Sequence, residues 1–127
     1  MIHIDIATIP HKEHRYSTTG DFYLANDIEM VKVSDMQNDK YEFLVALHEL
    51  IEMNLCKAHG VEWNEVDKFD IEHPELDEPG DSEEAPYHKE HMFASKIERM
   101  MADEMGINWE EYNKVMDNLY NGLNTTT

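Results

Sequence analysis

The spacing of hydrophobic positions changes once along this chain, near residue 39. Before it, Ile2, Ile4 and Ile6 alternate with His3 and Asp5, the two-residue period of a strand, and Pro10 ends the run. His11 to Gly20 is polar and predicts a loop. Phe22 to Ala25 and Ile28 to Val33 are two further apolar runs, separated by Asn26-Asp27, which fits a two-residue hairpin turn. After residue 39 the period becomes helical. A long helix is expected over 39–59, capped by Ser34 or Asn38 and closed by Gly60. Val61 to Phe69 predicts a short helix. Pro74, Pro79, Gly80 and Pro86 make 71–86 a loop, expected to be irregular, exposed and mobile over 72–84. A helix over 87–105 stops at Gly106, and another over 109–119 is capped by Asn108. The tail from Asn124 is expected to fray. The pattern predicts one α+β domain over 1–127: strands and a hairpin in 1–36 forming a small antiparallel sheet, then three to four helices.

The long helix places charge where an apolar stripe belongs. At 100° per residue, His48 and Glu52 point almost the same way, flanked by Leu44 and Leu55 on one side and Val45 and Cys56 on the other. Burying such groups alone is costly, so partners or a metal are expected. The 87–105 helix repeats the anomaly: His88, His91, Ser95, Glu98 and Ala102 recur at spacings of three and four. If the two helices pack face to face, His48, Glu52, His91 and Glu98 meet. Imidazole and carboxylate suit Zn²⁺, with Mn²⁺ or Fe²⁺ as alternatives. The other reading is a hydrogen-bonded polar cluster without an ion.

Glu49 follows His48 directly; by analogy with the zinc-peptidase helix it is the candidate general base, the other reading being an ordinary exposed helix glutamate. Asp67 and Asp70 read as members of a solvated acidic segment, or as supports for a ligand histidine. His88 reads as a doubtful member of the site, and His3, His11, His14, His59 and His73 as surface or loop residues. Trp63, Phe69 and Trp109 are expected core anchors, and Met100, Met101 and Met105 core filler.

Composition narrows the partners. Twenty-eight acidic and 10 basic side chains give 127 residues a net charge of -18. Eleven of the acids lie in 62–84, with Lys68 their single basic neighbour. Such a surface repels nucleic acid and anionic membranes and attracts cations or a basic protein. No apolar run reaches the length of a membrane span. With one cysteine, Cys56, there is no internal disulfide framework, and a soluble cytoplasmic protein is expected.

The string His48-Glu49-Leu50-Ile51-Glu52 and the order of elements resemble the zincin superfamily of metallopeptidases, over about residues 22–105. The resemblance implies a small sheet before an active helix and a later helix supplying the third ligand. In the gluzincin branch that ligand is a glutamate, which falls on Glu98. The sequence departs from the family at Glu52, where the motif has a second histidine. Tyr41 to Glu52, Asp77 to Asp81 and Ala85 to His91 also look like short bacteriophage proteins, which implies a phage-encoded protein in a bacterial host. Two further readings compete. One is an acidic interaction protein that mimics DNA or inhibits a basic host protein. The other is a helical nucleotide pyrophosphohydrolase, for which Glu49 and Glu52 supply only half of the paired acidic motifs.

Overall fold

The computed structural model describes residues 1–122, in which three strands precede four helices. The strands are β1 (Ile4–Ile9), β2 (Gly20–Ala25) and β3 (Ile28–Ser34). The helices are α1 (Asp39–His59), α2 (Trp63–Glu72), α3 (His88–Glu104) and α4 (Trp109–Gly122). The α+β class expected from the sequence is the class observed. None of the described helices is long and apolar enough to cross a membrane.

The sheet order is β1-β3-β2. Asn26 and Asp27 turn the hairpin with φ of 51° and 66°, the left-handed backbone that these residues tolerate and a tight hairpin needs. β2 and β3 are antiparallel, but β1 runs parallel to β3, so the sheet is mixed and not wholly antiparallel. Alternation marks a segment as a strand without encoding its direction or neighbour. The 10–19 connection carries the chain past β3, so that β2 enters on the far side and β1 keeps the direction of β3. As an edge strand β1 buries little: Ile6 remains 51% exposed, and Ile2 precedes the strand.

β3 is the central strand, and Val31 and Val33 form the floor of the core. α1 lies across β2 and β3 and turns its other side to α3. Leu44, Met53 and Cys56 of α1 are fully buried, as is Tyr112 of α4. Trp63 meets Phe22 edge-on, with ring centroids 5.3 Å apart, and Phe69 and Trp109 pack at the core margin. Met101 and Met105 do the same, whereas Met100 is exposed and is not core filler.

The bounds differ from the sequence reading by a few residues, most at α2, which spans Trp63–Glu72 and not 61–69; α4, expected to Leu119 or slightly beyond, reaches Gly122. The acidic segment is largely exposed but not wholly irregular. Pro79–Asp81 form a 3-10 turn whose Gly80 is buried, and Ala85 and Tyr87 are buried after it. The tail from Asn124 lies outside the described residues.

Candidate metal centre

α1 sets the phase of the site. Asn38, not Ser34, is its cap: the Asn38 carboxamide accepts from the backbone N–H groups of Lys40 and Tyr41, each at 3.1 Å. Gly60, at φ 73°, closes the other end. Ser34 instead ends β3, fully buried. With α1 so fixed, His48 and Glu52 lie one turn apart on the face toward α3. α3 answers with Glu90, His91, Ala94, Glu98 and Ala102, and its two alanines let the helix axes approach.

His48, Glu52, His91 and Glu98 are 7%, 4%, 5% and 6% exposed. Three of them converge on one point. Glu52 Oε2 lies 2.9 Å from His48 Nε2 and 2.9 Å from His91 Nδ1, and the two nitrogens are 3.2 Å apart. Donors at the corners of this triangle can all lie about 2.0–2.1 Å from one ion. These three side chains would hold such an ion and leave it a further position for water or substrate. Among the described residues this is the one group of histidine, cysteine or carboxylate side chains close enough to share an ion.

The opposite nitrogen of each imidazole is held by a second carboxylate. His48 Nδ1 donates to Glu98 Oε1 at 2.7 Å, and His91 Nε2 donates to Asp81 Oδ1 at 3.0 Å. Glu98 in turn accepts from the Tyr112 hydroxyl at 2.6 Å. A carboxylate can only accept, so these outer bonds put a proton on the outer nitrogens and aim the inner ones at the shared point.

The site is electrostatically tense. Burial alone would lower the pKa of His48, but hydrogen bonds to Glu52 and Glu98 outweigh it and hold it well above the ordinary value. Burial is likewise overcome at His91, where Asp81 and Glu52 raise the pKa to about 10. At Glu52, burial favours the neutral form, yet the two histidines hold the pKa down to about 2. Glu49 has less relief: burial and the charge of Glu52 push it well up against the pull of His48.

The structure therefore gathers His48, Glu52 and His91 and sets Glu98 one bond further out, on the far nitrogen of His48. Glu49 lines the same cavity, its side chain lying against Gly20 of β2. His88 is turned away and bonds the Gly80 carbonyl. Asp67 is tied to Arg15 by two bonds of 3.0 Å. Asp70 is not solvated as the acidic segment implied. It accepts from the hydroxyls of Tyr16 and Tyr87, and burial pushes its pKa up to about 6. His11 and His14, read as surface or loop residues, share the buried Ser34 hydroxyl at 2.8 and 2.9 Å.

The sequence reading missed Asp81, Tyr112 and Gly80. Gly80 alone carried a signal, a glycine inside an acidic loop. It stands close against the His91 ring, and a Cβ there would lie 2.4 Å from the ring Cγ. Gly80→Ala must displace either the loop or the imidazole. If the three side chains hold zinc, the change is expected to weaken its binding by about 10- to 100-fold, the usual cost of disturbing a ligand's support. A competition titration with a chromogenic chelator measures this, and wild-type affinity would show that the ring position does not depend on Gly80.

The three converging side chains stand at the wall of a cavity of about 580 Å³, formed between β2, α1, the 73–81 segment, α3 and α4. Comparison of the chain with protein families, curated proteins and solved structures finds no match.

Proposed function

We propose that this is a small metal-binding protein of the cytoplasm that holds one divalent ion, zinc before manganese or iron, and acts as a metal-dependent hydrolase. One observation carries the reading. His48 Nε2, His91 Nδ1 and Glu52 Oε2 lie within 2.9–3.2 Å of one another, and each imidazole is oriented from behind by a carboxylate. Two histidines and one glutamate are a donor set of catalytic zinc sites, which keep a further position for water or substrate. Relative to the gluzincin pattern, the carboxylate comes from the long helix and the second imidazole from the later one. The number and type of donors are kept.

Bound there, the ion would supply Lewis acidity and lower the pKa of water. The remaining work falls to the chain. Glu98 and Asp81 hold the imidazoles in one tautomer, and Tyr112 holds Glu98. Glu49, on the cavity wall and with its basicity raised by burial and by the charge of Glu52, is the group to take a proton from water. An acidic DNA mimic is less well supported, because it needs carboxylates arrayed on an outer face, whereas many here turn into a cavity.

Elemental analysis of protein purified without chelator tests the metal, with one ion per chain expected. Glu49→Gln then tests the chemistry. It should keep the ion and lose hydrolysis of peptide or ester substrates by about 10²- to 10⁴-fold, the share of a general base. Metal retained with unchanged turnover would leave a structural ion and remove Glu49 from the mechanism.

A further inference from the structure

Negative charge predominates in the cavity beside the proposed metal centre. Nine carboxylate side chains line it, and among the described residues no lysine or arginine does. Six of the nine are committed to partners. Arg15 holds Asp21 and Asp67. Two tyrosines hold Asp70, and His91 holds Asp81. Glu52 lies between the two histidines, and Glu98 between His48 and Tyr112. Glu49, Asp77 and Glu78 accept no hydrogen bond and join no ion pair among the described residues. With Glu49 facing the reacting water, Asp77 and Glu78 remain for a ligand. Both sit on the 73–81 segment, next to the Gly80 that backs His91.

This arrangement selects by charge. An anionic ligand meets mostly like charges there, because the two imidazoles are already matched by Glu52, Glu98 and Asp81. A divalent ion at the centre does not reverse the sign, because Glu52, Asp81 and Glu98 already set three negative charges against its two. The rest of the wall is not purely polar. Phe22, Val45 and Leu76 offer apolar surface, and Tyr16, Tyr87 and Trp109 offer ring edges and faces. An aliphatic stem ending in a positive charge suits both components, the stem on the apolar wall and the charge near carboxylates and rings.

We propose that the cavity binds a peptide segment carrying lysine or arginine, its ammonium or guanidinium group seated against Asp77 and Glu78 while the peptide backbone crosses the His48–Glu52–His91 centre. The chemistry of this substrate class rests on the metal reading; the charge preference does not.

The test is fluorescence anisotropy with labelled short peptides that differ only at a central lysine, glutamine or glutamate, on zinc-loaded and on chelator-treated protein. The lysine peptide should bind at least about tenfold more tightly than the glutamine peptide, and the glutamate peptide more weakly than either. Asp77→Asn with Glu78→Gln should erase that preference. Glu83→Gln with Glu84→Gln removes the same charge from exposed positions that do not line the cavity, and should retain it. Equal lysine and glutamine binding would overturn the proposal. So would an equal loss in both double variants, which would assign the preference to overall charge. A second bound ion that disappears with Asp77→Asn and Glu78→Gln would overturn it as well, making those residues ligands. Lysine preference in a chain found to hold no metal would sustain this inference while the metal reading falls; metal without preference would do the reverse.

Discussion

With zinc in the proposed centre, alanine in place of His48 is expected to abolish whatever stabilisation zinc gives the wild-type chain. At free zinc a thousandfold above its Kd, a site that exists only in the folded protein adds about 4 kcal/mol to stability. That increment, read as the difference in thermal midpoint with and without zinc, should vanish in His48→Ala. The increment is the informative quantity, not the midpoint itself. Removing the imidazole also leaves the buried carboxylates of Glu52 and Glu98 without the partner that separates them, so the metal-free variant starts from a lower midpoint whatever the role of the ion. An unchanged increment in His48→Ala would place zinc elsewhere, on the acidic surface, and would remove the proposed centre.

The second large effect is a reversal of pH dependence. In metal-free protein Glu52 titrates at about 2 instead of 4.5, so its contribution is in place above pH 4.5 and lost as the pH falls toward 2. His91 is raised from 6.5 to about 10, so its contribution is in place below pH 6.5 and lost as the pH rises toward 10. Two carboxyls act in the same direction as His91. Burial raises Asp70 from 3.8 to about 6, and partial withdrawal from water raises Glu78 from 4.5 to about 7, against the pull of His91 and His48. Ionising these groups costs more in the fold than in the unfolded chain, so stability declines as each titrates. The metal-free protein should therefore be most stable near pH 5. It should be weaker near pH 8 by at least about 1.4 kcal/mol, the worth of one pKa unit. Zinc must displace protons from the inner nitrogens, so its stabilisation grows with pH and moves the optimum to neutral or above. Urea unfolding across pH, with zinc and with chelator, measures both curves. A metal-free protein as stable near pH 8 as near pH 5 would contradict the charge arrangement described for the site.

Local pattern made much of this readable. Period and caps located α1 and α3, and the i, i+4 pair His48 and Glu52 follows from helix geometry alone. The meeting of His91 with that pair required only that two polar stripes with apolar flanks face each other. What escaped depends on tertiary position. Glu98 shares a stripe with His91, but which imidazole nitrogen it reaches is set by the placement of the α3 backbone against α1. Asp81 stood among eleven acids in 62–84, and nothing local separates the one that holds His91 from its neighbours. Nothing in the sequence marks Tyr112, whose bond to Glu98 exists only because α4 lies over α3. β1 lies parallel to β3 for the same reason: alternation is blind to strand direction.

His48 and His91 are 43 residues apart in the chain and 3.2 Å apart in space. The sequence between them includes the largely exposed stretch 72–84, where a protease has ready access. A single cut there leaves one fragment with His48 and Glu52 and the other with His91. An ion shared by the two imidazoles, as proposed, would then be a removable rivet between pieces that otherwise hold together by non-covalent packing alone, chiefly between α1 and α3. Metal supply would set the lifetime of the nicked molecule, and a chelator would be able to take apart a protein that a protease had already opened.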